Sequence, residues 1–195
     1  MTSGAELRRV FVLLCLLAAS PAQAQTAWGL QQLMQSLAQT PSGTANFTER
    51  QTSPVLSAPL MSSGTLSFTA PDYLRKTTTA PTAEVFTLDH DQVTLTGGGG
   101  THVFQINQDP RIAGMVEAIR STLTGNLLKL QQYYAVTLTG DSSAWQLHLS
   151  PKGDALTRFL RGITISGTAN RITIIDTASA DGGDSRMSIT PADAP

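Results

Sequence analysis

Leu30, Leu33, Met34 and Leu37 fall at i, i+3, i+4 and i+7, the spacing that gathers side chains on one stripe of a helix. Trp28 lies just ahead of this stripe, and Thr40-Pro41-Ser42-Gly43 ends it. The pattern then changes period. Segments 44–50, 63–69 and 73–79 read as strands, with Leu66 and Phe68 on one face of the second and Pro71 and Pro81 bounding the third. Segments 84–88 and 92–96 form a hairpin pattern across Asp89-His90-Asp91, residue types that tolerate turn geometry. Residues 97–100 are four glycines and read as a flexible connection to a strand over 101–106. Helical spacing returns at Ile112, Met115, Val116, Ile119 and Leu123, with Asp109 as N-cap and Pro110 at the first helical position. Gly125 breaks this run, and 126–131 reads as another short helical turn.

The rest alternates with period two. Tyr134, Val136 and Leu138 mark one strand, and Trp145, Leu147 and Leu149 the next. Pro151-Lys152-Gly153-Asp154 is a turn, followed by a short helical stretch to Leu160. Segments 162–166 and 171–176 pair as a hairpin around 167–170, 186–190 is a last strand, and 191–195 is a polar flexible tail. One helix, several strands, a helical insertion and more strands predict a mainly β (α+β) fold. It is one antiparallel sheet with a few helices packed on one face. Strands do not alternate with long helices, which argues against a doubly wound parallel sheet, and there is no internal repeat.

The N-terminus follows a different logic. Arg8 and Arg9 precede an unbroken apolar run over 10–19, and Ala22-Gln23-Ala24 supplies a small-x-small cleavage site. These are the three parts of a secretory signal peptide over residues 1–24, with Gln25 as the first mature residue. The apolar run is too short to span a bilayer, which takes about 20 apolar residues. Leu7 replaces the polar residue that precedes a twin-arginine pair, so general secretion is the expected route. Cys15 is the single cysteine and lies between Leu14 and Leu16, without the small residue that a lipidation site needs. Its loss with the signal leaves a thiol-free chain, with residues 25–190 as one domain.

Charge and chemistry narrow the function classes. The net charge is −1, and Asp, Glu, Lys and Arg make up 14% of the chain, against about 25% in an average domain. Nothing here attracts nucleic acid or an anionic membrane surface. His90, His102 and His148 form no metal-spaced pair. His90 between two aspartates reads as a polar turn. The glycine run lacks the Gly-Lys-Ser/Thr of a phosphate loop. No Gly-x-Ser-x-Gly elbow is present, and no local sequence pairs a nucleophile with a base. Asn46-Phe47-Thr48 matches a glycosylation acceptor but lies in an expected strand. The apolar stripes are the remaining signal. They fit a closed core, or a sheet and helices that leave an apolar pocket between them.

The motifs Trp28-Gly29-Leu30-Gln31-Gln32-Leu33-Met34, Phe47-Thr48-Glu49-Arg50, Pro59-Leu60, Ser63-Gly64-Thr65-Leu66-Ser67-Phe68 and Pro71-Asp72-Tyr73-Leu74-Arg75-Lys76 follow in that order. Their succession resembles the bacterial outer-membrane lipoprotein carrier family (LolA), in particular a divergent LolA-related branch. Specific residues match between 28 and 76, and the order of elements matches over most of the chain. The resemblance implies an open half-barrel antiparallel sheet with helices over its concave face. It implies a periplasmic carrier that moves the acyl chains of a lipoprotein or other lipid between inner and outer membranes. Such a carrier needs no cofactor, metal or covalent chemistry. Its partners would be a lipid or lipidated protein, an inner-membrane donor and an outer-membrane acceptor, with the carrier itself a monomer.

Alternating strand residues face the side that a helical stripe covers. On that ground the cavity lining is expected from Leu66, Phe68 and Leu74 of the sheet and from Leu33, Met34, Ile112, Met115, Val116 and Ile119 of the helices. The chain departs from the carriers proper at Ala70, where they place an Arg that governs closing of the lid. The cargo is therefore open between lipoprotein, glycolipid and other acyl lipid. An envelope assembly module binding a protein along a sheet edge, and a hydrolase or transferase acting on an acyl substrate, are the other readings.

Overall fold

The computed structural model describes residues 28–192. The expected signal peptide, Cys15, Gln25 and the last three residues lie outside them. Helix α1 (Leu30–Ala38) leads into strands β1 (Ser42–Thr52), β2 (Leu60–Thr69), β3 (Tyr73–Ala80), β4 (Glu84–Asp89), β5 (Gln92–Gly97) and β6 (Gly100–Gln105). A 3-10 turn (Ile106–Gln108), α2 (Pro110–Leu123) and α3 (Leu127–Tyr133) follow. The chain closes with β7 (Tyr134–Asp141), β8 (Ala144–Pro151), α4 (Asp154–Thr157), β9 (Leu160–Thr168), β10 (Arg171–Ser179) and β11 (Asp184–Pro191).

All eleven strands form one antiparallel, open sheet in the order β6-β5-β4-β3-β2-β1-β11-β10-β9-β8-β7. This is the fold class expected from the sequence. The order has a simple logic. Two meanders, β1–β6 and β7–β11, join where the first strand pairs with the last, Phe47 opposite Ile189. The sheet edges are then β6 and β7, which are joined in sequence by α2 and α3. The helical link must cross the sheet from edge to edge, and this is what lays α2 over one face.

Burial holds the helices there. A nine-residue helix such as α1 is unstable alone in water, but it buries Leu33, Met34 and Leu37, each worth about 1.5–3 kcal/mol. These three join Leu130, Tyr134, Trp145, Leu147, Leu149, Leu160, Ile163 and Ile165 in the larger core. A smaller cluster of Leu88, Val93, Ile106 and Val116 lies under the other end of the sheet. Two glycines set the approach of α2. At Gly114 a Cβ would come within 2.8 Å of Leu156 in α4, and at Gly125 within 2.3 Å of the Met34 carbonyl of α1. Gly125 also takes φ +67° just past the end of α2, where a left-handed residue terminates a helix. Asp109 caps α2 by accepting from the Arg111 amide at 2.8 Å. The Arg111 guanidinium and amide hold its carboxyl down at about 2.

Three expectations change. Residues 97–100 are not a flexible connection: Gly97 ends β5 and Gly100 begins β6, paired across a two-residue turn. The β9–β10 connection is Ala169-Asn170 rather than 167–170. Gly167 stays in the ladder opposite Ile172 and Trp145, where a Cβ would strike the Trp145 ring. Pro191 belongs to β11 opposite Ala45 rather than to a loose tail.

Candidate functional site

Residues directly opposite in an antiparallel ladder share a face, so the registers trace rows across the sheet. One row runs Phe68, Leu74, Leu88, Val93, Phe104. The adjacent row runs Leu66, Lys76, Phe86, Leu95, His102. On the other half a row runs Ser62, Glu49, Met187, Ile175, Ile165, Leu147, Leu138. These rows all lie on the helix-covered face.

Burial along them is uneven. Leu147 and Ile165 are fully buried at one end, and Leu88 and Val93 at the other. Between them Leu66, Met187 and Ile189 are only half-buried, as are Ile175 at the margin of the larger cluster and Phe86 at the margin of the smaller, although all are apolar. Helix α2 straddles the two sealed clusters, with Met115, Ala118 and Ile119 packed on the larger and Ile112 and Val116 on the smaller. Met115, Ile112 and Ile119 keep part of their surface open. The helices therefore roof both ends of the face, while over the central strands the cover is partial: Phe47 of β1 is 2% exposed and Phe68 of β2 nearly buried, but Leu66, Met187 and Ile189 around them form a half-open apolar strip.

The nine residues expected to line a cavity occupy distinct places. Leu33 and Met34 are sealed in the larger core, at 0% and 2% exposure. Val116 is buried in the smaller cluster, with Leu74 and Ile112 half-buried against it. Met115 and Ile119 are half-buried against the larger core. Phe68 is nearly buried and Leu66 half-buried on the central strands. Leu66, Ile112, Met115 and Ile119 thus have surface to offer a ligand, and Leu33 and Met34 do not. Sequence reasoning missed Phe86, Ile175, Met187 and Ile189, whose signal was only strand alternation on segments of unknown register.

It also missed a polar group within the strip. Lys76 Nζ donates to Glu49 Oε2 at 2.5 Å and lies 4.8 Å from the centre of the Phe47 ring. Ser185 Oγ donates to Glu49 Oε1 at 2.5 Å. Burial pushes the Glu49 carboxyl up, but Lys76, Ser185 and Ser62 together outweigh it and hold the group below its ordinary value. Glu49 and Lys76 are not directly opposite, because β2 runs between their strands. On the covered face of β2, Gly64 separates Ser62 from Leu66 at a register shift against β3, where a Cβ would strike the Thr77 carbonyl at 1.9 Å.

A second polar network fixes α2. Glu117 is 2% exposed, pairs with Arg120 and accepts from Ser121 Oγ at 2.6 Å. Arg120 continues to the His90 carbonyl at 2.8 Å, Asp91 Oδ1 at 3.2 Å and Asp72 at 3.6 Å. Burial lowers the Arg120 pKa, but the carboxylates more than reverse this and raise it. The network ties α2 to the β2–β3 and β4–β5 turns. On the outer face a groove of about 510 Å³ is lined by Arg50, His148, Arg161, Asp176, Asp184 and Arg186. Its ion pairs Arg161–Asp184 (3.0 Å) and Arg186–Asp176 (3.4 Å) suit water rather than an acyl chain. His90 bonds to Asp89 at 2.7 Å in an exposed turn. Among the described residues no group of three His, Cys, Asp or Glu could hold a metal ion, and no helix is long and apolar enough to cross a membrane.

No curated protein matches the chain. Among solved structures, a LolA superfamily protein from Nitrosomonas europaea superposes with a TM-score of 0.47 at 11% identity, over 87% of this chain and 96% of that one. A DUF1329 family protein from Desulfovibrio piger gives 0.44 at 11% identity, over 83% and 88%. The MucA/MucB complex of Pseudomonas aeruginosa gives 0.43 at 10%, over 85% and 58%. The model of the family described as outer membrane lipoprotein carrier protein LolA-like matches residues 18–194. A match over nearly the whole chain means that this protein belongs to the LolA-like family of outer membrane lipoprotein carrier proteins.

Proposed function

We propose that this chain is a periplasmic carrier that takes up the acyl chains of a lipoprotein or other lipid and moves them between the inner and outer membranes. The observation that carries the reading is the half-roofed face of the sheet. Leu66 and Met187 remain half-buried between the two clusters, Ile175, Met115 and Ile119 are half-buried at the margin of the larger, and Phe86 and Ile112 at the margin of the smaller. Apolar surface left open inside a fold is unfavourable, and an acyl chain that covers it gains about 0.8 kcal/mol per buried CH₂.

The lining assigned here is Leu66, Phe68, Leu74, Ile112, Met115, Val116 and Ile119, joined by Phe86, Ile175 and Met187. Leu33 and Met34 support it from behind. The signal over 1–24 delivers the domain of 25–190 to the periplasm, where it works as a monomer. It receives cargo from an inner-membrane donor and passes it to an outer-membrane acceptor without covalent chemistry. Native mass spectrometry of the protein purified from periplasm tests this. An acyl-lipid mass retained on the folded chain is expected. Protein that arrives empty and takes up no acyl lipid on titration contradicts it.

A further inference from the structure

We propose that Lys76 is the polar anchor of the acyl site and that, with Glu49 beside it, it selects a neutral acyl linkage, the carbonyl of an ester or amide, over a free carboxylate or phosphate. The inference rests on the acyl-binding reading above and names the class of cargo. An ion pair on an apolar face is costly to desolvate and is a poor source of stability. This one lies in the strip rather than at its rim, with Leu66 and Phe86 flanking Lys76 in its row and Met187 beside Glu49.

The hydrogen-bond inventory of the pair is lopsided. Glu49 accepts from Lys76 on one oxygen and Ser185 on the other, with Ser62 adding to the stabilisation of its charge. Lys76 has three N–H donors, and among the described residues Glu49 is its hydrogen-bond partner. Its side chain is 30% exposed against 14% for Glu49, so the unused donors are the part that a ligand reaches. The site therefore offers donors and asks for an acceptor. Glu49 cancels the Lys76 charge at contact distance. An anion placed on Lys76 would meet the Glu49 carboxylate beside it, whereas a carbonyl takes the free N–H bonds without adding charge. An acyl chain in the strip places such a carbonyl at its head.

The test compares octadecene, methyl oleate and oleate on the mature protein, by competition with a fluorescent alkane at neutral pH. Methyl oleate is expected to bind about tenfold tighter than octadecene, and tighter than oleate. In Lys76→Met/Glu49→Gln, which removes both charges, methyl oleate should fall to the octadecene level while octadecene binds as before. In Glu49→Gln alone the preference should pass to oleate. Dioleoylglycerol and a synthetic diacylated lipopeptide carry the same carbonyls from a free lipid and a modified peptide. Both should weaken about tenfold in the double variant, and the one bound tighter by the wild type marks the source. A wild type that binds methyl oleate no better than octadecene, or a double variant that keeps the ester preference, overturns the anchor with acyl binding intact. Failure of every probe, octadecene included, overturns the acyl-binding reading and the anchor with it.

Discussion

Arg120 of α2 donates to the backbone carbonyl of His90 at 2.8 Å, 30 residues away in the β4–β5 turn. The same guanidinium is the partner of Glu117, a nearly fully buried carboxylate. One side chain therefore neutralises a buried charge and fastens the helix that roofs the candidate site.

Arg120→Ala should destabilise the fold by about 3 kcal/mol, because Glu117 is left buried and unpaired. Arg120→Met with Glu117→Gln should cost clearly less, since the charge leaves with its partner. Urea melts of the three proteins decide this. Equal midpoints for Arg120→Ala and wild type would show that Glu117 does not depend on Arg120.

The Glu49 carboxyl is held below the ordinary glutamate value of 4.5. Its contribution to stability is therefore fully present above the unfolded value. It is lost as pH falls from 4.5 through the lower folded value. Glu49→Gln should be less stable than wild type at neutral pH, and the gap should close in acid. Urea midpoints measured across that range test the sign, and a gap that widens as pH falls would contradict it.

Gly125→Ala should cost more than about 1 kcal/mol. The residue takes φ +67° and a Cβ there would meet the Met34 carbonyl at 2.3 Å, a backbone atom that cannot swing aside. Thermal melts measure the loss. An unchanged midpoint would mean that α1 is not pressed on the end of α2.

The fold was legible where one residue pattern decides one element. The stripe Leu30, Leu33, Met34, Leu37 and the Asp109-Pro110 start both mark helices that form as expected. Alternation at Trp145, Leu147 and Leu149 likewise places three buried side chains on one face of β8. The candidate site was less legible because it depends on register and on which helix covers which strand. Leu33 and Met115 look alike in sequence, yet α1 is pressed fully onto the sheet while α2 keeps Met115 partly open. Glu49 and Lys76 both stood in the motifs, but no local rule pairs residues on strands separated by β2. Met187 and Ile175 required the closure of β1 on β11, the longest-range strand pairing among the described residues.

Processing should leave Gln25 at the mature N-terminus, because Ala22 and Ala24 are small at the positions a signal peptidase reads. N-terminal sequencing of periplasmic material checks it. A lipid on Cys15 would contradict both the cleavage and the free carrier.

Whether the half-roofed strip holds acyl chains is tested most directly by Met115→Asp. A carboxylate there would face the bound chain at a desolvation cost of several kcal/mol. Met115 is only half-buried, so the empty protein can keep the new charge in water and remain folded. Fluorescent fatty-acid titration beside a urea melt is the measurement. Saturable binding by wild type is expected, with loss of most of that binding in Met115→Asp and a cooperative melt preserved. A folded Met115→Asp that binds as tightly as wild type, or a wild type that binds no acyl chain, would contradict this.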